Sequence, residues 1–259
     1  MARAVFRFYE ELNDFLPPER RKVAFDYPLD RRAAAKDVIE ALGVPHPEVE
    51  LILVNGESVG FDYIVRDGDR VAVYPVFESF DISEHLRVRE LPLRELRFVL
   101  DAHLGRLARY LRLCGFDTLY RNDFQDAELA SISAHEGRVL LTRDIRLLKR
   151  RIITHGYFVR SDRPEAQLTE VLHRFQLQDR VAPFRRCARC NALLRDADKA
   201  EVAPRLEPLT RRYYDTFRVC TGCCQVYWYG SHARRIERLI ERARQGGDPA
   251  PDAPCRSGG

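Results

Sequence analysis

Two short cysteine motifs constrain this chain more than any other feature. Cys187-Ala-Arg-Cys190 and Cys220-Thr-Gly-Cys223 are C-x2-C hooks with 29 residues between them. Each hook presents two thiolates from one tight turn, and four thiolates complete the tetrahedral shell that Zn²⁺ prefers. The spacing therefore predicts one Zn²⁺ held by all four cysteines. Such a site has no open coordination position, so we expect the zinc to support structure while the chemistry lies elsewhere.

Two other interpretations of the hooks stay open at this point. Free cysteines pack as small hydrophobic residues, and a C-x2-C pair can also serve redox chemistry. Two copies in an arginine-rich segment favour metal. The seven cysteines are an odd number and four have metal-type spacing, so we expect a reducing, cytoplasmic setting rather than a disulfide framework. No apolar run approaches the roughly 18 residues of a membrane span, and no signal peptide is recognisable at the N-terminus.

Charge is distributed unevenly along the chain. The formal net charge is +4, but residues 1–95 carry 13 basic and 19 acidic side chains, whereas residues 96–259 carry 30 basic and 20 acidic ones. A net charge of +10 in the second part indicates a polyanionic partner such as RNA. The alternative is an arginine-rich surface that is simply solvated.

The first 80 residues predict a small α+β roll. Residues 4–9 alternate as a strand, and a helix is expected from Asp30, as its cap, to Leu42. Asn55-Gly56 between apolar runs predicts a hairpin, and residues 70–75 predict a last strand. Residues 81–95 are charged, contain a proline and are expected to be a linker.

Residues 96–178 alternate strands with helices, which predicts a parallel sheet. The expected strands are 96–100, 117–120, 138–142 and 156–159, and the expected helices are 104–113, 126–136 and 164–175. Beyond this segment we expect a zinc module up to about residue 235, a basic amphipathic helix over 231–245 and a disordered tail.

Aspartates follow the first, third and fourth strands of this segment, namely Asp101, Asp144 and Asp162, and Asp126 begins the second helix. The carboxyl ends of parallel strands share one edge of a sheet. Carboxylates gathered there suit Mg²⁺ or Mn²⁺, and two such ions about 4 Å apart promote phosphodiester cleavage. The alternative is that each aspartate only caps a helix.

These residues carry a family resemblance. The segments FVLDAHLGRLARYLRLCGFDT, DAELASISAHEGRVLLTRD and VYWYGSH, with the two hooks, resemble the Mut-7 C-terminal RNase domain family, and VNGESV and DGDRVAVYP resemble ubiquitin-like sulfur-carrier domains. The resemblance implies a multi-domain α/β chain, whose parts are a β-grasp α+β roll (1–80), a PIN-like three-layer α/β/α parallel sheet (96–178), a C-terminal zinc ribbon (179–235) and a helix end with a tail (236–259).

The resemblance also implies roles for particular residues. Asp101, Asp126 and Asp144 match the acidic residues of PIN nucleases, with Asp162 as a fourth acid and Glu128 as an alternative to Asp126. The implied activity is metal-dependent cleavage of RNA with Mg²⁺ or Mn²⁺ beside the structural Zn²⁺. A non-catalytic zinc-ribbon RNA-binding protein, or an adaptor acting through a protein partner of the ubiquitin-like domain, are the alternatives, and no membrane role is expected.

Basic and aromatic side chains suggest where RNA is held. Arg106, Arg109 and Arg112 follow Asp101 on one helix and are expected to contact RNA phosphates, unless they are only solvated. Tyr227, Trp228 and Tyr229 either stack on bases or pack the core of the ribbon.

The hooks depart from the usual pattern at the residue after the second cysteine, which is commonly glycine. Asn191 and Cys224 stand there. Asparagine tolerates the left-handed backbone conformation, whereas Cys224 fits it less easily and is a competitor of Cys223 as a ligand.

Overall fold

The computed structural model describes residues 2–75 and 96–246. The predicted linker, residues 76–80 and the predicted tail beyond residue 246 lie outside this described part. Within it, no helix combines the length and the apolar character that crossing a membrane requires. The chain divides into two compact units, one formed by Met1–His103 with Asp123–Phe158 and the other by Leu104–Asn122 with Val159–Gly259.

The first unit begins with a mixed five-stranded sheet and one helix. Its elements are β1 (Arg3–Phe8), β2 (Phe25–Pro28), α1 (Ala35–Ala41), β3 (Leu51–Val54), β4 (Glu57–Val59) and β5 (Arg70–Tyr74). The spatial order is β2-β1-β5-β3-β4, and only β1 and β5 pair in parallel. Val38 and Ile39 of α1 are buried in the core of this α+β roll. The predicted strand, helix, hairpin and last strand are confirmed.

The hairpin between β3 and β4 follows the sequence rule. Asn55 and Gly56 both have left-handed backbone angles, with φ of 54° and 94°. A two-residue hairpin turn of type I′ needs positive φ at both positions, and asparagine and glycine are the residues that adopt it most readily. The hairpin predicted at Asn55-Gly56 is therefore confirmed, and its cause is the left-handed conformation that both residues adopt.

One expectation for this part is wrong, and one strand was not predicted. The helix begins at Ala35, its N-cap residue is Ala34, and no side chain caps it, so Asp30 is not the cap. The reason is that Ala34 forms an isolated antiparallel bridge with Ile64, which keeps the backbone before the helix extended. Strand β2 was not expected, because its sequence, Phe25–Pro28, is short and ends in proline.

The parallel sheet follows in the chain from residue 96. The elements are β6 (Phe98–Leu100), α2 (Gly105–Leu113), β7 (Thr118–Tyr120), α3 (Asp126–Glu136), β8 (Val139–Thr142), α4 (Ile145–Leu148), β9 (Gly156–Phe158) and α5 (Pro164–Arg174). In the first unit β6 pairs with β8 and β8 pairs with β9, both in parallel. The α/β class and the parallel pairing are confirmed, while the three-layer PIN-like arrangement stays a prediction.

Contacts inside the first unit join the α+β roll to this sheet. His46 Nε2 lies 2.6 Å from the carbonyl oxygen of Ile153, and the Glu48 carboxylate accepts a hydrogen bond from the amide of Phe158 in β9. The Lys149 ammonium donates to the carbonyl of Glu40 at 2.6 Å. Polar side chains of each part therefore satisfy backbone groups of the other.

The second unit contains α2, β7, α5 and the segment that carries the hooks. The further elements are β10 (Leu194–Ala197), α6 (Lys199–Val202), α7 (Pro208–Tyr213), β11 (Phe217–Cys220), β12 (Val226–Trp228) and α8 (Ser231–Arg244). Strands β10, β11 and β12 form an antiparallel sheet in that order. Val202, Phe217, Val219 and Val226 form its small core, against which Trp228 packs.

Candidate metal centre and acidic sheet edge

The four hook cysteines come together in the second unit. Their Sγ atoms all lie within 4.8 Å of one another. The Cys187–Cys223 pair is 3.6 Å apart and the Cys190–Cys220 pair 3.3 Å apart. Four sulfurs at about 2.3 Å from one zinc are about 3.8 Å apart in a tetrahedron, whereas disulfide sulfurs are about 2.05 Å apart. The thiol set fits Zn²⁺, and the predicted convergence of these ligands is confirmed.

The turn after each hook explains how the sequence forms this cluster. Asn191 and Cys224 have φ angles of 70° and 58°, so both adopt the left-handed conformation expected of them. Their amides donate to the carbonyls of the first hook cysteines, Cys187 and Cys220, at 3.0 and 3.2 Å. Cys224 itself is exposed and lies outside the four-cysteine group, so it does not replace Cys223 as a ligand.

Hydrogen bonds lower the pKa of the Cys187 thiol. Burial by itself raises the pKa of Cys187, but hydrogen bonds from the Tyr227 hydroxyl and from the amides of Cys190 and Arg189 bring it down to about 6. The Tyr227 hydroxyl lies 3.1 Å from Cys187 Sγ and accepts from the Ala188 amide at 3.1 Å. These contacts make Tyr227 a support of the first hook rather than a platform for bases.

Asn191 ties the first hook to the entry of strand β7. Its Oδ1 accepts from the amide of Thr118 at 3.0 Å, and its Nδ2 donates to Asp117 Oδ1 at 2.9 Å. Arg186 adds an ion pair to Asp117 at 3.2 Å. Gly115 has φ of 96°, and a Cβ there would stand 2.3 Å from the carbonyl oxygen of Ala182. The segment of the first hook and the end of α2 are thus joined by direct contacts.

Arg112 takes part in the same connection, and this corrects its expected role. Its guanidinium donates to the carbonyls of Thr118 and Arg189 at 2.9 Å each, and the residue is 6% exposed. Burial lowers the pKa of this guanidinium, while the nearby Cys187 and Cys190 raise it. The expectation that Arg112 contacts RNA phosphates is wrong, because its donors are directed at backbone carbonyls inside the protein.

The other two arginines of that helix remain available. Arg106 and Arg109 are both exposed, whereas Leu107, Ala108 and Leu111 are buried. Helical spacing places position 112 next to Arg109, but the first hook covers it, and its guanidinium reaches the carbonyl of Arg189. The phosphate-binding prediction is therefore limited to Arg106 and Arg109.

At the sheet edge a threonine that the sequence analysis missed links two of the predicted acids. The Thr142 hydroxyl donates to Asp101 Oδ2 at 2.7 Å and accepts from the amide of Asp144 at 2.9 Å. Asp101 directly follows β6, and Thr142 is the last residue of β8, the adjacent parallel strand. The Asp101 amide donates to the Leu141 carbonyl at 3.1 Å. The expected meeting of two strand ends, at Asp101 and Asp144, is confirmed.

The capping alternative holds for one acid and fails for another. Asp144 is the N-cap of α4, and its Oδ1 accepts from the Arg146 amide at 2.7 Å. Asp126 makes no capping bond, because Gln125 is the N-cap of α3. The Asp126 carboxylate instead pairs with Arg150 at 3.4 Å. Asp144 therefore has a structural task as well as its predicted one.

Two further acids were predicted for the site, Glu128 and Asp162. Glu128 lies half-buried in the first turn of α3, and Asp162 is exposed in the second unit, before α5. Among the described residues the four cysteines are the one group of three or more potential ligands within 4.8 Å. The carboxylates are not gathered to that distance, so a divalent-metal site at this edge stays a prediction.

Comparisons with known proteins agree with this architecture. Residues 96–240 match the Mut7-C RNAse domain, and residues 1–81 match the Mut7-C ubiquitin domain, which confirms the resemblance drawn from the sequence. The crystal structure of H. volcanii small archaeal modifier protein 1 is similar to 30% of this chain over 100% of its own length, at 18% identity, with a TM-score of 0.24. A score this low supports no conclusion about the fold. The curated proteins contain no match to the chain.

Proposed function

Because this chain belongs to the Mut7-C RNAse domain family, we propose that it is a nuclease that hydrolyses phosphodiester bonds of single-stranded RNA with Mg²⁺ or Mn²⁺. The family match is the observation that carries this proposal, since it covers residues 96–240. The proposed organisation has three modules, the β-grasp domain, the PIN-like nuclease domain and the zinc ribbon. The first of these is proposed to bind a protein partner.

The acidic edge supports the proposed site. Asp101 and Asp144 stand at the ends of adjacent parallel strands, and carboxylate oxygens are the donors that Mg²⁺ and Mn²⁺ prefer. A divalent ion bound there supplies a nucleophilic water and a counter-charge for the phosphate oxygens. Asp126 is the third proposed ligand, and it would exchange its ion pair with Arg150 for the metal.

Thr142 is proposed to position this pair of acids. It is fully buried, and its one hydroxyl proton is donated to Asp101 Oδ2. That bond directs the other carboxylate oxygen, Oδ1, which accepts from the amide of Ala102 at 2.6 Å. With both oxygens held, the Asp101 carboxylate cannot rotate freely, and a ligand fixed before binding loses less entropy when it binds.

The proposal predicts a specific pattern in a cleavage assay. Wild-type protein, Asp101→Asn, Asp144→Asn and the control Asp37→Asn are incubated with end-labelled RNA or DNA in Mn²⁺, Mg²⁺ or Ca²⁺. Asp37 is an exposed acid of α1 and is not among the acids proposed to bind the metal. Changing the divalent ion is preferred to chelation, because a chelator also removes zinc from the hooks.

We expect wild type and Asp37→Asn to cut RNA in Mn²⁺ or Mg²⁺ and the two edge variants to lose at least about 100-fold in rate. Melting temperatures of all four proteins separate loss of activity from loss of folding. RNA that is bound but never cut by wild type in any ion would replace the nuclease by a non-catalytic RNA-binding protein. Cleavage by both edge variants at the wild-type rate would remove the acidic edge from the mechanism.

A further inference from the structure

Helix α7 of the zinc ribbon presents an unusual surface. We name it the α7 surface and define it by Leu209, Arg211, Arg212 and Tyr213. Leu209 and Tyr213 are 68% and 66% exposed, more than any other large hydrophobic residue of the described chain. Both arginines are also exposed. Isolated exposed apolar side chains are common, but a leucine, a tyrosine and two arginines together on six residues indicate a contact surface.

Three of these side chains form one patch, whereas Arg211 lies two positions from both Leu209 and Tyr213 and so projects from another side of the same helix. Leu209 and Tyr213 are separated by four positions and Leu209 and Arg212 by three, so they lie next to each other on the helix. The Arg212 guanidinium stands 5.5 Å from the centre of the Tyr213 ring. The ring is therefore held beside a cation and remains open to solvent.

Ion pairs and hydrogen bonds engage several other charged side chains of the ribbon. The neighbouring pairs are Arg195 with Glu201, Lys199 with Asp215, and Arg218 with Asp196. Arg205 donates to the carbonyl of Cys224 at 2.7 Å. Within the described part of the chain, Arg211 and Arg212 have no ion pair. The acids nearest to them in sequence are Glu207 and Asp215, and Asp215 is paired with Lys199. Arg211 and Arg212 therefore keep their positive charge available to an anion.

The surface is fixed to the metal module rather than carried by a loose loop. Leu206 and Tyr214, on either side of α7, pack against the ribbon core. The bond from Arg205 to Cys224 attaches the same segment to the second hook, and the Lys199–Asp215 pair closes it at 2.7 Å. The exposed residues are therefore held in place, so that binding would cost little ordering entropy.

We propose that the α7 surface binds single-stranded RNA, with one base stacked on Tyr213 and phosphates on Arg211 and Arg212. This rests on the proposed function, which makes RNA the substrate. Stacking on an exposed ring needs an unpaired base, because the bases of a duplex are stacked on one another. Arginine suits phosphate oxygens through its paired donors. A protein partner would use the leucine but would not require two unpaired arginines beside it.

The test uses the full chain carrying Asp101→Asn, so that the RNA is not cut during the measurement. Binding of a fluorescent 12-nucleotide oligouridylate and of a 12-base-pair RNA duplex is followed by anisotropy at several salt concentrations. The variants are Tyr213→Ala, Tyr213→Phe and the double change Arg211→Gln with Arg212→Gln. The matched control is Arg31→Gln with Arg32→Gln, an adjacent pair of exposed arginines in the first unit.

We expect Tyr213→Ala to weaken binding of the single strand by about 5- to 100-fold, Tyr213→Phe to remain within about twofold, and duplex binding to be weaker and insensitive to both. The double arginine variant should reduce the slope of log affinity against log salt by up to about 1.4, because each lost phosphate contact contributes about 0.7. The Arg31 and Arg32 control should leave affinity and slope unchanged. Zinc content and melting temperature of each variant establish that the ribbon stays folded.

Equal affinity of Tyr213→Ala and wild type for the oligouridylate would overturn the inference. The inference would also be overturned if the α7 variants changed the sedimentation of the protein but not its affinity for RNA, since α7 would then be a contact between two copies of the chain. Failure of the proposed function is seen separately, in proteins that retain Asp101. If those never cut RNA but Tyr213 still governs binding, the inference stands and the nuclease proposal falls. If those proteins cut RNA and Tyr213→Ala binds the oligouridylate like wild type, the nuclease proposal stands and the inference about α7 falls.

Discussion

The two hook turns offer a comparison in which the same substitution should act in opposite directions. Asn191 and Cys224 occupy equivalent positions and both have a left-handed backbone, with φ of 70° and 58°. Their side chains differ in use: Asn191 is 8% exposed and bonds to Thr118 and Asp117, whereas Cys224 is exposed. Replacement of each by glycine gives the backbone the same freedom and removes only the side chain.

The magnitude follows from these contacts. Asn191→Gly loses two side-chain hydrogen bonds at about 0.5–1.5 kcal/mol each, and it leaves the Thr118 amide buried without its acceptor, a group that costs about 1–3 kcal/mol when unsatisfied. We expect a net loss of about 2–4 kcal/mol. Cys224→Gly relieves a left-handed conformation worth about 1–2 kcal/mol, offset by about 0.5–1 kcal/mol of glycine entropy, and should be neutral or stabilising by up to about 1 kcal/mol.

The assay can observe the ribbon directly. Trp228 is the single tryptophan of the chain and packs against the ribbon core. Its fluorescence during urea unfolding of zinc-loaded protein reports the stability of this module, and zinc analysis controls for loss of metal. A free energy of unfolding for Asn191→Gly equal to that of wild type would refute the claim that Asn191 joins the hook to β7. Equal destabilisation by both changes would show that the backbone conformation at these positions, and not the side chain, determines the change in the free energy of unfolding.

Three further outcomes are expected. Thr142→Val should lower the free energy of unfolding by about 1–3 kcal/mol and the rate of RNA cleavage by about 10- to 100-fold. Thr142→Ser should restore both. Full activity of the valine variant would show that Thr142 does not position the acids of the site. Cys190→Ser should yield protein with less than one zinc per chain by elemental analysis, since structural zinc contributes on the order of 10 kcal/mol to folding of small modules; full occupancy would contradict the four-cysteine site. Arg112→Met should destabilise the protein by about 1–3 kcal/mol without altering the salt dependence of RNA binding. Arg106→Gln should reduce that salt dependence with little change in melting temperature. The opposite pattern would mean that Arg112 contacts RNA.

Local signals in the sequence were sufficient where one physical effect dominates. The hairpin at Asn55-Gly56 is set by which residues tolerate left-handed angles, and the helix Asp126–Glu136 is bounded by Gly137, whose φ is 59°. The alternation of strands and helices also indicated the parallel pairing of β6, β8 and β9. In each case a few neighbouring residues carry the information.

Long-range contacts explain the misses. Ala34 is kept extended by its bridge to Ile64, thirty positions away, so the first helix starts later than its polar residues suggest. Arg112 looked like a third member of an arginine face, but its long side chain reaches the carbonyl of Arg189 in the first hook. No local pattern predicts such a contact, because it depends on which segment folds against the helix.

The sequence by itself determined which four cysteines come together as a potential metal site, since C-x2-C spacing fixes the geometry of each hook within one turn. It also determined that aspartates follow the strands of a parallel sheet. Only the tertiary structure decided what each of these groups contacts. The buried Thr142 hydroxyl joins Asp101 to the Asp144 amide, and Asn191 joins a hook to β7. A hydrogen bond needs its donor and acceptor within about 3 Å, and for residues 41 or 73 positions apart only the folded chain brings them to that distance.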